Sequence, residues 1–286
     1  MQKIIDTKGI NGGYNAVVRG RYGYVAYNKH DVYIGRAIEK YGEFSESEAE
    51  IFRQLCQRGD TIVEVGANIG THTMAFSQFV GRDGRVYALE PQRVIFQTLA
   101  ANMALNNIEN VDCLRVAAGD ETGHLLIPEL QYNVEGNFGA IEIDRFRTGN
   151  KVPLVRLDDI IEVPPNSTVR LIKIDVEGME YGVISGARQL IAQHKPFLYV
   201  ENDRLEKSAA LIRLIQSLDY RLYWHLPPMY NPNNYAGDAE NIYPGVISIN
   251  MLCIHKSIEM NVTGFTEVTD PDAHPMAPSN SAPAPT

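Results

Sequence analysis

The stretch Glu64-Val65-Gly66-Ala67-Asn68-Ile69-Gly70-Thr71-His72 decides the fold, because it is an acidic, glycine-rich turn set between two apolar runs of different period. Before it, Thr61-Ile62-Val63-Glu64-Val65 is β-branched and has the length of a buried parallel strand. After it, residues 71–80 carry apolar side chains at helical spacing. The glycines therefore mark a strand-to-helix corner. Gly66 and Gly70 allow a sharp turn and a ligand approach unobstructed by a Cβ, and Asn68 is the non-glycine type that best tolerates positive φ. Such a corner predicts a loop that holds a nucleoside cofactor. Its spacing is not that of a dinucleotide fingerprint, whose third glycine would fall where Thr71 stands.

The following strand, residues 84–89, ends in Glu90-Pro91, roughly twenty positions beyond the loop, where a ribose diol needs an acceptor. The end of the second strand of a doubly wound sheet lies beside the first loop, so the Glu90 carboxylate is placed for both ribose hydroxyls. Its other role is to complement the dipole of a helix spanning 92–106. A third strand, 111–116, runs into Ala117-Ala118-Gly119-Asp120 and puts Asp120 at the same edge, as an acceptor for an adenine amino group. A carboxylate at the position of Glu64 commonly serves the ammonium side of S-adenosylmethionine. Strand followed by acid recurs in Val169–Asp175 and in Pro196-Phe197-Leu198-Tyr199-Val200-Glu201-Asn202. Ligands in open α/β sheets bind outside the carboxyl ends of strands, so Glu64, Glu90, Asp120, Asp175, Glu201 and Asn202 are expected to converge on one cleft. That crowding calls for positive charge. Asp175, Glu201 and Asn202 form an all-oxygen set suited to Mg²⁺ or a similar divalent cation, as in the metal site of catechol-type O-methyltransferases, which the arrangement resembles. Helix capping is the alternative use of the same residues.

Composition agrees with one enzyme-sized α/β domain: 286 residues, 44% apolar and 21% charged. Residues 1–58 read as an extension, with a β-hairpin around Arg19-Gly20-Arg21 and a helix opened by a Ser45/Glu48 capping box. Residues 59–257 form the core domain, and 264–286 are a Pro/Ala/Ser-rich tail expected to be disordered. Cys56, Cys113 and Cys253 lack metal spacing and read as reduced thiols. A net charge of −9 disfavours a nucleic-acid partner. No apolar run is long enough to span a bilayer and no signal peptide is evident, so a cytoplasmic location is expected.

Five segments together carry a family resemblance: Glu64–Thr73 (EVGANIGTHT), Tyr87–Pro91 (YALEP), Ala117–Asp120 (AAGD), Val155–Ile160 (VRLDDI) and Leu171–Ala187 (LIKIDVEGMEYGVISGA). The chain resembles the FkbM family of S-adenosylmethionine-dependent methyltransferases over roughly residues 45–255. The resemblance implies a Rossmann-like class I methyltransferase fold, a seven-stranded and mostly parallel sheet with helices on both faces. It implies that Gly66, Asn68 and Gly70, in the loop that also holds Ala67 and Thr71, contact the methionine part of the cofactor. It further implies Glu90 on the ribose and Asp120 near the adenine. Glu64 stands where many relatives have Asp. The implied reaction is methylation of a hydroxyl on a small molecule, sugar or polyketide-like natural product.

A hydroxyl nucleophile needs a destination for its proton, either a metal-lowered pKa or a general base. Asp175, Glu177, Glu180 and His225 are the candidates, with Glu177 the most favourably placed. Acceptor choice is expected in two long segments, 130–147 and 226–245. In the second, Met229, Tyr230, Tyr235 and Tyr243 offer aromatic and apolar walls, and Asn231, Asn233, Asn234 and Asn241 offer amides for recognition. Two other classes stay open from sequence: a nicotinamide-dependent oxidoreductase on a similar sheet, and a non-catalytic S-adenosylmethionine-binding module.

Overall fold

In the computed structural model, residues 5–6, 13–140 and 148–277 are described. The N-terminal part comprises strands β1 (Ile5–Asp6), β2 (Asn15–Gly20) and β3 (Gly23–Asn28), then helices α1 (Ile34–Tyr41) and α2 (Glu46–Leu55). Strands β2 and β3 pair antiparallel, with β1 on the outer edge of β2. Alternation decides their packing: Ala16, Val18, Val25 and Tyr27 are buried against residues of the central helices, including Leu99 and Met103.

Next come β4 (Thr61–Val65), α3 (Thr71–Val80), β5 (Arg85–Leu89), α4 (Arg93–Leu105) and β6 (Val111–Leu114). A small side sheet follows, built from β7 (Ala117–Ala118), β8 (Gly123–Ile127) and β9 (Asn150–Val155). The second half is α5 (Leu157–Ile160), β10 (Val169–Ile174), α6 (Glu180–Ser185), α7 (Arg188–His194), β11 (Phe197–Glu201), α8 (Leu205–Ser217), β12 (Tyr220–His225), β13 (Asn250–His255) and β14 (Thr266–Glu267).

The main sheet runs β14-β12-β13-β11-β10-β4-β5-β6. Neighbours from β11 to β6 pair parallel, whereas β13 is antiparallel to both β11 and β12. Strand order grows in one direction through β4, β5 and β6 and in the other through β10 and β11. The point of reversal lies between β4 and β10, and there the loops above the sheet part to leave a cleft. The layered α/β architecture is the one the sequence predicts, with one strand more in the main sheet than the expected seven.

The two faces of the sheet divide by strand alternation. Val63, Val65, Ile172, Ile174, Leu198 and Val200 pack under α7 and α8, and Ile62, Leu171, Phe197 and Tyr199 pack under α2 and α3 with Phe52 and Phe76. Glu64 and Lys173 share the second face with Ile62 and Leu171, and they pair directly across β4 and β10. A period of two thus places opposite charges side by side inside the protein.

Residues 264–277, expected to belong to a disordered tail, are part of the fold: Thr266 and Glu267 pair with Trp224 and Tyr223, and Val268 and His274 are buried. His274 packs edge-on against Trp224 and its Nε2 lies 2.7 Å from the Asn202 carbonyl oxygen. Few apolar residues were needed, because a β-edge pairing and one buried imidazole anchor the segment. Residues 278–286 lie outside the described residues, as does 141–147 of the first long segment. Cys56 and Cys253 are buried and Cys113 partly so, all as free thiols. No helix among the described residues is long and apolar enough to cross a membrane.

Gly66 stands at the reversal point with φ +85°, and a Cβ there would lie 1.8 Å from the Asp175 carbonyl oxygen. Gly59 has a similar φ of +87° with nothing within 4 Å of a Cβ. Gly59→Ala is therefore expected to cost about 1 kcal/mol, from backbone strain alone. Gly66→Ala adds a backbone clash and is expected to cost about 3 kcal/mol or more. Paired urea denaturation curves compare the two, and equal losses would rule out the close approach as the reason for glycine at 66.

Candidate functional site

The cleft holds a cavity of about 420 Å³, within the size range of small-molecule sites. One wall is the β4–α3 loop, in which Gly66, Asn68 and Gly70 have φ of +85°, +49° and +89°. The Gly66 and Ala67 amides donate to the Leu89 carbonyl at 3.0 and 2.9 Å, which pins the loop to the end of β5. Gly66, Ala67, Asn68 and Thr71 line the cavity. Gly70 is not among its lining residues. A Cβ on Gly70 would lie 2.7 Å from Leu99 Cδ1, so this glycine is required for packing of the loop on α4 rather than for access of a ligand.

Glu90 reaches the cavity from the end of β5 and is 4% exposed. The Asn68 amide donates to its Oε2 at 3.0 Å and the Gln92 amide to its Oε1 at 2.8 Å, so both oxygens are held by backbone. Burial raises its carboxyl to about 7, against the pull of those two amides. The Asn137–Ala140 segment crosses above, where Gln92 Nε2 donates to the Phe138 carbonyl at 2.9 Å and Asn137, Gly139 and Ala140 line the cavity.

The floor is a row of buried charge. Glu64 is 1% exposed and takes a 2.6 Å hydrogen bond from Thr73 Oγ1, and Lys173 is 3% exposed and donates to Asp175 Oδ2 at 3.1 Å. Glu48, from α2, completes the row. The Ser45 hydroxyl donates to its Oε1 at 2.9 Å and Asn250 Nδ2 at 3.3 Å. Ser45 is in the left-handed region and makes no side-chain cap, so the expected capping box is absent: Glu48 turns inward to the charged row instead of back to the helix start. Burial raises Glu48 and Glu64 to about 7, with Lys173 opposing in both. Burial alone would lower the Lys173 ammonium, but Asp175, Glu64 and Glu48 hold it above its ordinary value. Burial, with Lys173 adding to it, pushes His72 down to about 3, so this cavity-lining imidazole is neutral.

The far rim carries Asp175, Glu177, Glu201 and Asp203, with Arg204 bonded to both Glu177 and Asp203. Glu177 sits in a turn at φ +53°, and burial and the neighbouring Asp175 raise it to about 7 although Arg204 opposes. Glu201 is raised well above the usual carboxylate range by burial and then by Asp175 and Asp203. Its Oε2 is buried with no hydrogen-bond partner.

Four sequence expectations fail here. Asn202 points to the opposite face of β11, where its amide donates to Ser208 Oγ at 2.9 Å and approaches Met251 Sδ at 3.3 Å, and strand alternation keeps it from the Glu201 cluster. Asp120 is exposed beside Gly182 of α6, because the chain turns into the side sheet at Ala117, and it is not a lining residue. His225 bonds Tyr199 through Nδ1 at 2.7 Å, packs at a tilt against Phe265 and is lowered to about 4 by burial; it too is outside the cavity lining. Glu180, the first residue of α6, accepts from the Gly178 amide at 2.9 Å in the turn before the helix and is outside the cavity lining. The loop asparagines are likewise used internally: Asn231, Asn234 and Asn241 bond the loop backbone or Glu43, and of the four aromatic and Met residues named there only Met229 lines the cavity. Conversely, Glu48, His72, Lys173, Asp203 and the Ser248–Asn250 segment belong to the site without having been expected. Lys173 had a readable signal, a charge flanked by Ile172 and Ile174 in the apolar second half of its strand.

Glu90 has a folded-state pKa above its unfolded value, so its contribution to stability is complete below about 4.5 and is lost as pH rises through about 7. Glutamine imitates the protonated form at every pH. Glu90→Gln should therefore gain stability on wild type by about 3 kcal/mol between pH 4.5 and pH 8. Denaturation at a series of pH values checks this, and a constant difference would mean that Glu90 is already ionised at pH 5.

Residues 64–222 match the model of the FkbM methyltransferase domain. A protein called Methyltransferase 1 from Beauveria bassiana (strain ARSEF 2860) is 29% identical over 143 residues, 44% of this chain, and the chain spans 57% of that relative's length. A crystal structure of the FkbM methyltransferase from Methylobacillus flagellatus KT aligns with TM-score 0.46 and 20% identity, covering 72% of this chain and 50% of that one. A S-adenosylmethionine-dependent O-methyltransferase from Thermotoga maritima aligns with TM-score 0.49 and 12% identity, covering 91% and 87%. The domain match spans more than half of the chain and contains both the glycine loop and the β10 segment, so the chain belongs to the FkbM family of S-adenosylmethionine-dependent methyltransferases.

Proposed function

We propose that the protein is an O-methyltransferase whose acceptor is a hydroxyl of a small molecule, a sugar or a polyketide-like natural product. The observation that carries this reading is the meeting, in one cavity, of the carboxylates after β10 and β11 with an apolar wall of Ile34, Phe44, Met229, Val246 and Ile247. The carboxylates suit removal of a hydroxyl proton, and the wall suits a carbon skeleton. A net charge of −9 speaks against a nucleic-acid acceptor.

The residues fit the cofactor. Glu90, with both oxygens oriented by backbone amides, is a ready acceptor for a ribose diol, and the buried acids of the floor suit a cationic ligand. S-adenosylmethionine supplies, when bound, a methyl group on a positively charged sulfur. The chain's own contribution is to align the acceptor oxygen and to take its proton. Glu177, raised to about 7 and oriented by Arg204, is the general base in this reading, since proton transfer is most effective when the base titrates near working pH.

A second reading is favoured by one observation. Glu177, Glu201 and Asp203 place carboxylate oxygens within 4.8 Å of one another, and Glu201 Oε2 is buried without a partner. These three, and not the Asp175, Glu201 and Asn202 expected from sequence, would hold a divalent cation, which would lower the pKa of the acceptor hydroxyl.

Incubation with methyl-labelled S-adenosylmethionine and a panel of sugars and hydroxylated polyketides should place the label in an ether. Label on nitrogen or carbon would overturn the O-methyl reading. Glu177→Gln is expected to lower kcat about a hundredfold or more while leaving cofactor affinity within about twofold. Turnover unchanged by a chelator supports the base, whereas loss on chelation with recovery on adding Mg²⁺ supports the cation.

A further inference from the structure

We infer that Lys173 is the binding residue for the α-carboxylate of the cofactor's amino-acid end. This rests on the cofactor reading above and adds a ligand-contacting role for a residue of the buried row.

The inference starts from an imbalance. An ammonium group has three donors, yet Lys173, 3% exposed, makes one hydrogen bond among the described residues, to Asp175 Oδ2 at 3.1 Å. Buried donors are seldom left unused, and Lys173 lines the cavity, so its remaining donors open toward a ligand. Its position agrees. Lys173 pairs across the sheet with Glu64, one residue before the Val65–Gly66 corner, and Gly66 packs on the Asp175 backbone.

Charge selects the ligand group. An α-amino acid end carries both signs within a few bonds, so its site must offer both. Glu48 and Glu64 supply negative charge beside Lys173 for the ammonium and the sulfonium. Two cations line the cavity among the described residues, Lys173 and Arg204, and Arg204 is bonded to Glu177 and Asp203 on the far rim. Lys173 is therefore the cation available for a carboxylate near the glycine loop. One rival stands nearby: the α3 N-terminus has Gly70 at its cap, no side-chain cap and no acid in the first turn, so its amides also suit an anion. The carboxylate could be held there alone.

Three nucleosides separate these possibilities by titration calorimetry. S-adenosylhomocysteine has the whole amino-acid end, its decarboxylated analogue keeps the amine and lacks the carboxylate, and methylthioadenosine lacks both. Wild type should bind S-adenosylhomocysteine about ten- to a hundredfold more tightly than the decarboxylated analogue, as expected for one charge-assisted hydrogen bond to a buried partner. Lys173→Met should reduce that preference to within about threefold and leave the methylthioadenosine affinity within about twofold. The last figure also confirms that the variant is folded. Preference retained in Lys173→Met, with all three ligands bound, assigns the carboxylate to the α3 amides and overturns the role of Lys173 alone. Failure of all three to bind wild type overturns the cofactor reading, and this inference with it.

Should Lys173→Met fail to fold, wild type still decides. Lys173 is the one buried lysine among the described residues, so its ¹H–¹⁵N ammonium signal is distinct from those of exposed lysines. It should shift on addition of S-adenosylhomocysteine and stay within a small fraction of that shift with the decarboxylated analogue. Equal shifts with both would overturn the inference.

Discussion

The structure depends on how one ammonium is kept in an apolar interior. Lys173 sits next to the C-terminal end of a buried parallel strand, with Glu64 opposite it on β4, Asp175 two residues on and Glu48 overhead on α2. An isolated charge at that depth would be expelled or neutralised, and burial pushes Glu48 and Glu64 toward their neutral forms. Together they hold one another charged in part, and the arrangement keeps more acid than base. The surplus of negative charge is what a cationic cofactor would relieve. Under the proposed cofactor reading, stability and ligand preference draw on the same four side chains.

The reversal of strand order makes the place for this cluster. Because β4 and β10 diverge to different sides above their last residues, the helices that follow them part, and polar groups at the strand ends are left facing a cleft rather than a helix. The same crossing brings the Gly66 backbone against Asp175, so the glycine loop and the strand that carries Lys173 are locked together. Displacement of one would displace the other.

Above the sheet, one side of the cavity is roofed by segments far apart in the chain. Glu43 accepts from Arg21, Asn231 Nδ2 and the Tyr235 amide, Tyr41 bonds the Glu240 carbonyl at 2.7 Å, and Tyr243 bonds the Tyr33 carbonyl at 2.7 Å. The N-terminal helices and the 226–249 segment thus form one wall, which explains why the loop's asparagines and tyrosines are occupied in building it. Met276 reaches the cavity from the segment that follows β14, so the C-terminal stretch shares in the same enclosure.

Much of the fold was legible in linear order. β-branched runs ending in acids, helical periodicity between them and glycines at the first corner suffice to predict an α/β sheet with its ligand edge, since strand period and turn chemistry are local properties. Glu64, Gly66, Asn68, Glu90, Asp175, Glu177 and Glu201 were placed on that edge for the same reason, and they line the cavity. Which side chains face inward was not local. Asn202 and Asp203 are adjacent in the chain but on opposite faces of the sheet, and Asp120 leaves with the side sheet. His225 is held by Tyr199 from across the intervening strand β13, and Glu48 abandons its helix cap for a lysine 125 positions away. Those outcomes follow from cross-strand register and from where a buried charge finds its partner, and both exist only once distant segments are packed together.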